Sequence, residues 1–324
     1  MDRQIIRAAV LGTAVGDALG VPVEFKYRDE LEQDPVTGMR AYGTHHQPAG
    51  SWSDDTSMLL ATLDSLTRGY DPEDIMARFD QWLNGGAYTP RGEVFDRGLI
   101  VAQAVKRFRM GRKALLCGGS DEQDNGNGSL MRVMPACLYA VQRQSQGRMT
   151  EAEAVRLIHE VSALTHAHVV SKAGCGLYYF MVKALIEDRA GGLAAALQRG
   201  VDACLAWYRA SDWYNYEEAL ERYSRLFDLE AFRLTPEDRI SSKGYVVATL
   251  EAAVWCLLST DSLEDALLRA VNLGRDTDTV AAVAGGLAGL YYGLEAIPAD
   301  WLETLLRREW IEQLCDGAAE AWNR

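Results

Sequence analysis

The amino-acid sequence predicts an all-α fold, organised as a single compact multi-helix domain over residues 1–324. Three observations carry this. Apolar residues recur at three- and four-residue steps over long stretches. Runs of alternating β-branched residues bounded by turn signals are nearly absent. The connecting segments are short and rich in Gly, Asn, Asp and Pro.

Along the chain, small residues come first: Gly12, Ala14, Gly16, Ala18 and Gly20 crowd one early helical stretch. A glycine inside a helix costs about 1 kcal/mol against alanine. Its repetition therefore predicts backbones that approach each other, or a ligand, closely; Gly174, Gly176, Gly285, Gly286 and Gly289 repeat the pattern later. "SDDTSMLLATLDSL" puts Met58, Leu59, Thr62, Leu63 and Leu66 on one helical face. "EAEAVRLIHEVSALT", "VVSKAGCGLYYFMVKALIE", "GGLAAALQRGVDACLAWY", "YVVATLEAAVWCLL", "SLEDALLRAVNLG" and "TVAAVAGGLAGLYYGL" follow the same period. "KYRDELEQDPVTGMRAYGTHHQPAG", "LNGGAYTPRGE" and "CGGSDEQDNGNGS" read as loops. From about residue 208 to 243 the chain is more polar and aromatic, which predicts a peripheral helical excursion rather than a second domain.

Composition narrows the function. A formal net charge of −13 argues against a general nucleic-acid binder. An anionic small ligand would depend on a local pocket of N–H groups or cations. No run reaches the roughly 18–20 consecutive apolar residues of a membrane span. Asp17 interrupts the apolar N-terminus, which argues against a signal peptide. Cys117, Cys137, Cys175, Cys204, Cys256 and Cys315 have no metal-type spacing, so free buried thiols and a cytoplasmic location are expected.

Two oxygen-rich clusters stand directly before apolar helical runs: Ser53, Asp54 and Asp55, then Asp276, Asp278 and Thr279. One reading is helix capping by Ser53 and Asp276, with first-turn carboxylates complementing the helix dipole. The other is a shared hard-cation site, because carboxylates and hydroxyls without His or Cys suit Mg²⁺, Mn²⁺ or Ca²⁺. If the clusters meet, their like charges repel strongly without a cation. Spacing alone leaves both readings open. In "DNGNGSLMR", Gly126 and Gly128 free the backbone and Ser129 is placed to cap a following helix, a geometry that offers N–H groups to an anion. His166 and His168 are two apart and do not share a helical face, so no joint metal site is expected from them.

"GTAVGDALGVPVEF", "GSWSDDTSMLLATLDSL", "NGNGSLMRVMP", "LTHAHVVSKAG", "GYVVATLEAAVW" and "NLGRDTDTVAAVAGGLAGLYYG", in this order over about residues 5 to 310, resemble the ADP-ribosylglycohydrolase family. The resemblance implies an all-α fold holding two Mg²⁺, or Mn²⁺, at the base of a cleft. Ser53, Asp54 and Asp55 match one half of its metal shell; Asp276, Asp278 and Thr279 match the other. Glu24 matches a flexible-loop glutamate near the scissile bond, and Asp17 matches an aspartate read as structural. Asn127, Gly128 and Ser129 become candidate binders of diphosphate or the distal ribose. His166 matches a histidine that lines the family's ADP-ribose pocket, Tyr245 matches an aromatic near adenosine, and Asp96 matches an acidic residue near the site.

The reaction so implied is hydrolysis at C1″ of an ADP-ribosyl group, with Asp54 or Asp55 as base or cation stabiliser and Glu24 holding water or substrate. Such cleavage passes through an oxocarbenium-like state and needs charge stabilisation, an oriented water and a proton source. An ADP-ribosylated protein, arginine-linked first, is the expected partner, because "GDALGVPVEF" is more similar to the dinitrogen-reductase-reactivating branch. The alternatives are another linkage (serine, a nucleic-acid end or a small ADP-ribose derivative) and a non-catalytic ADP-ribose-binding or immunity protein. No membrane partner is expected, and nucleic acid only as a modified acceptor.

Overall fold

The structure, a computed structural model, describes residues 1–211 and 215–324. Among these residues it contains sixteen α-helices and eight 3₁₀ turns. Among the described residues the only extended pairings are three isolated bridges. The all-α expectation holds.

The N-terminal helix Arg3–Gly20 lies at the centre and packs along the helix Thr277–Tyr292. The small residues make this possible. A Cβ on Gly12 would lie 2.3 Å from the Gly285 carbonyl oxygen, one on Gly16 2.2 Å from that of Ala281, and one on Gly289 2.0 Å from that of Ala8. The two backbones therefore touch in antiparallel register. At the end of the seam a Cβ on Gly20 would sit 2.3 Å from the Asp278 backbone nitrogen. The end of one helix is thus pressed onto the acidic start of the other.

The helix Asp54–Leu66 packs against both of these helices, and all its residues except Asp64 are buried, not only the stripe that its periodicity marks. Ser53 caps it as expected, its hydroxyl accepting from the Asp55 N–H at 3.2 Å. Asp276 occupies the equivalent position before Thr277–Tyr292 but makes no capping bond, for a reason given below. Among the described residues the helical segments Arg3–Val23 and Val169–Glu187 are long and apolar enough to cross a membrane, and both are mostly inside the protein's own core.

Two expectations change. "KYRDELEQ" is not all loop: Arg28–Gln33 is helical, its start tied by the Tyr27 N–H donating to Glu30 at 2.8 Å. The stretch from about 208 to 243, of which residues 212–214 lie outside the described residues, is not peripheral. Leu220, Tyr223, Leu226, Leu229 and Phe232 are buried in the common core, and the Tyr223 hydroxyl donates to the Val170 carbonyl. Amphipathic short turns let this segment bury its apolar side while looking polar on average.

The seam gives a paired test. Gly16→Ala puts a methyl group into a carbonyl oxygen and should lower stability by about 1–3 kcal/mol or more. Gly317→Ala, in the exposed interior of Arg308–Trp322 with open space around it, should raise stability by about 0.5–1 kcal/mol. Urea unfolding of both variants checks this; equal effects would show that the seam is not closely packed.

Candidate active site

Asp17 sits in the last turn of Arg3–Gly20, fully buried. It accepts from the Ser53 N–H at 2.9 Å, from the Thr56 N–H at 3.0 Å and from the Thr56 hydroxyl at 2.6 Å. It thereby pins the start of Asp54–Leu66, a structural role that matches the expectation. Asp55 is turned inward: Ser53 donates to it at 3.0 Å, and Thr279, from the other cluster, at 3.3 Å. The two acidic helix starts, more than 220 residues apart, meet here. One oxygen each from Asp17, Asp55 and Asp278 lie within 4.8 Å of one another, as do oxygens of Glu24, Asp276 and Asp278.

The cluster is short of donors. Asp278 accepts from the Thr279 N–H at 2.9 Å, but its Oδ2 and the Asp55 Oδ1 are buried without a hydrogen-bond partner. Burial first, and then neighbouring carboxylates, push Asp54, Asp55 and Asp278 well above the usual range. Burial raises Asp17 to about 6 against its hydrogen bonds, and raises Asp276 as well. Orphaned buried carboxylate oxygens in an all-oxygen set are what a hard divalent cation neutralises. The residues fit such an ion, with Asp55, Asp276, Asp278 and Thr279 as its nearest candidates.

Above this floor opens a cleft of about 690 Å³ lined by Glu24, Asp54, Asp96, Asn127, Gly128 and His166 among others. Glu24 follows the turn after the first helix, and beside it the Phe25 N–H donates to the Arg275 carbonyl at 2.6 Å and the Arg275 N–H to the Lys26 carbonyl at 2.7 Å. This ties the Glu24 loop to Asp276. His45, which the sequence reading did not single out, bonds the Glu24 carboxylate, and the Thr44 hydroxyl donates to the Glu24 carbonyl at 2.8 Å. Burial raises Glu24 to about 7, helped by Asp96 and Asp276 and opposed by His45. Burial alone would lower His45; its hydrogen bond to Glu24 and the charges of Glu24 and Asp96 outweigh this and hold it raised. His45 was illegible because its loop, with Tyr42 and His46 at positive φ, has no period to read.

The remaining candidates divide. Asp54 faces the cleft from the side of Gly98, whose N–H donates to it at 3.3 Å, and belongs to neither group of converging carboxylates. Ser53 is occupied with its cap and with Asp55. The Asn127 side chain is committed to the floor: its amide donates to Asp276 at 2.8 Å and to Thr249 at 2.9 Å. That bond diverts Asp276 from capping its own helix. Ser129 is turned away from the cleft into the core, where Ser162 donates to it at 3.0 Å. Tyr245 stands outside the cleft lining, beside Arg222 and Glu122, with 37% of its surface exposed. His168 caps Val169–Glu187 and bonds Asn125.

His166 is set by a buried chain. The Arg132 guanidinium donates to the Thr165 hydroxyl at 2.7 Å, and that hydroxyl lies 2.8 Å from His166 Nδ1. With the hydroxyl accepting from the guanidinium, its own proton is available to Nδ1, an arrangement that places the proton of the neutral ring on Nε2. Burial and Arg132 push His166 down to about 3, so it is neutral. A Cβ on Gly128 would lie 2.8 Å from this ring, which explains the glycine.

Fold and site together define a helical protein with a hard-oxygen acid cluster under a cleft of small-ligand size. The family model for ADP-ribosylglycohydrolase matches residues 1–324. The chain is 30% identical over 312 residues to the ADP-ribosylarginine hydrolase Tri1 of Serratia proteamaculans (strain 568), covering 96% of this chain and 77% of that protein. It is 32% identical over 310 residues to the ADP-ribosyl-[dinitrogen reductase] glycohydrolase of Rhodospirillum rubrum, covering 92% and 88%. A solved structure described as an ADP-ribosylglycohydrolase-related protein complex superposes with a TM-score of 0.76 at 30% identity over 99% of this chain and 98% of that one. The chain belongs to the ADP-ribosylglycohydrolase family, hydrolases of ADP-ribosyl glycosidic bonds.

The raised carboxylates set a pH signature. The folded state holds these protons more tightly than the unfolded chain, whose carboxyls titrate near about 4. Their contribution to stability is therefore complete below about pH 4 and is lost as pH rises through the folded values, about 6 for Asp17 and about 7 for Glu24. In chelator, the gain in Tm from added Mg²⁺ should be small near about pH 5 and large near about pH 7.5, where the cation replaces lost protons. A gain that is flat or reversed across this range counts against the cluster as a cation site.

Proposed function

We propose that the protein removes ADP-ribose from modified acceptors by hydrolysis at C1″ of the ribose, with ADP-ribosyl-arginine on protein as the first substrate and two Mg²⁺ ions as cofactor. The observation that carries this reading is the meeting of Asp55, Asp278 and Asp17 beneath the cleft, with buried oxygens lacking partners. Asp55, Asp276, Asp278 and Thr279 would hold hard cations there, which when bound would supply positive charge and Lewis acidity. Glu24, fastened by His45 and raised to about 7, holds or moves a proton at the departing acceptor or the attacking water near neutral pH. Asp54 faces the same space, where its carboxylate stabilises the positive charge that develops on the ribose. His166 offers its Nε2–H to a ligand oxygen. The acidic mouth formed by Glu24, Asp54 and Asp96 suits a cationic guanidinium better than a neutral hydroxyl acceptor. The relative named as an ADP-ribosylarginine hydrolase supports the same choice. A cytoplasmic location is part of the proposal, supported by six buried free thiols.

Incubation with ADP-ribosyl-arginine protein should release ADP-ribose with Mg²⁺ and not with chelator. Glu24→Gln should lower turnover by about 10²–10⁴-fold while preserving the fold, and Asp278→Asn should reduce release to the chelator background. Release that ignores chelation would overturn the metal role. Binding of ADP-ribose without release from any acceptor would favour a binding protein.

A further inference from the structure

The segment 97–116 departs from the rest of this acidic chain. It contains Arg97, Lys106, Arg107, Arg109, Arg112 and Lys113 and no Asp or Glu, in a protein of net charge −13. It also holds Leu99, Met110, Leu115 and Leu116, exposed by 73%, 77%, 37% and 64%. These are four of the nine large apolar side chains exposed among the described residues. Two of the cations serve the fold: Arg107 donates to the Cys117 carbonyl at 2.8 Å and Arg112 to that of Leu116 at 3.3 Å. Arg109 is shared with Asp80 at 3.5 Å. Among the described residues, Arg97, Lys106 and Lys113 have no ion-pair partner within 4.0 Å.

Between the helices Pro72–Gly85 and Leu99–Arg109 this surface sinks into a groove of about 760 Å³, lined by Leu83, Leu99, Val105, Lys106, Arg109 and Met110. The groove is continuous with the candidate active site, because Arg97 and Leu99 line both. Apolar walls with unpaired cations at the rim, opening into an acidic cleft, form one surface of two signs. We propose that the groove docks the acceptor protein through an acidic segment with apolar side chains beside the modified residue; this rests on reading the cleft as an ADP-ribosyl hydrolase site. The cationic acceptor group enters between Glu24, Asp54 and Asp96 while its acidic flank lies along the groove. Charge complementarity of this kind contributes specificity and encounter rate more than raw affinity. A nucleic-acid partner fits less well. The exposed apolar side chains among the cations are Leu and Met, while the ring of Phe108 packs against the core and is not presented for stacking on bases, and the net field repels a polyanion.

The test compares wild type with the double variant Lys106→Glu/Met110→Glu, two exposed residues outside the cleft lining. The substrates are free ADP-ribosyl-arginine and two ADP-ribosyl-arginine peptides of equal length, one flanked by Glu and Leu, the other by Lys and Ser. Wild type should prefer the acidic peptide by about tenfold in kcat/KM, mainly through KM. That preference should shrink as salt rises from about 50 to about 500 mM. The variant should lose the preference and keep its kcat/KM on the free conjugate within about twofold. No preference in wild type, or a preference that survives in the variant, overturns the docking site. Absence of turnover on all three substrates overturns the hydrolase reading instead. The groove is then read directly, by fluorescence polarisation with the unmodified acidic peptide, where equal Kd for wild type and variant overturns it. Tighter binding of a single-stranded oligonucleotide than of the peptide also overturns it, as does a dimer that blocks the peptide and vanishes in the variant.

Discussion

The backbone contact between Arg3–Gly20 and Thr277–Tyr292 is the constraint on which the rest depends. Helix axes normally lie about 8–10 Å apart, held off by side chains. Here glycines at four-residue steps on one helix meet carbonyl oxygens of the other, so the spacers are gone. Each glycine weakens its own helix, and the compensation is position: Asp17, in the last turn of the first helix, comes to face Asp278, in the first turn of the other. A side chain anywhere along the seam would move the two acids apart.

That geometry creates a local excess of negative charge that the fold does not neutralise by itself. Two helix N-termini, at Asp54 and Thr277, aim their positive ends at the cluster and offset part of the repulsion. Backbone and hydroxyl donors satisfy Asp17, yet oxygens of Asp55 and Asp278 are left without partners. Protons or a cation must supply the rest. In the proposed function stability and activity are therefore coupled at one point, because the groups that cost most to bury are those to which the chemistry is assigned. Around them a second layer is ordered by polar residues: Asn127 aims Asp276, His45 aims Glu24, and the Arg132–Thr165 pair sets the ring of His166.

Much of the helical fold was legible because its causes are local. Val169–Glu187 appears with the bounds that its apolar period marks, and Ser53 caps the helix that it precedes. The early glycines announced a close approach without naming the partner. Misreadings arose where a distant group competes for a side chain. Asp276 looks like a cap, but an amide 149 positions away takes its carboxylate. Asn127 lines the cleft as expected, but its amide nitrogen also serves that bond, a second role that spacing does not reveal. Ser129 reads as a cap, but the wall of Val169–Glu187 and the hydroxyl of Ser162 draw it inward. The polar segment near 208–243 reads as peripheral because its buried side is averaged with its exposed one.

By itself, the sequence determined where most of the long apolar helices run and which stretches cluster side-chain oxygens, since helix hydrogen bonds and side-chain periodicity act over about four residues. Only the tertiary structure decided which carboxylates face one another, which of them keep an oxygen unpaired, and that Glu24 is held by a histidine. Those relations run between segments up to about 220 residues apart, and burial and Coulomb interaction depend on distance in space rather than along the chain.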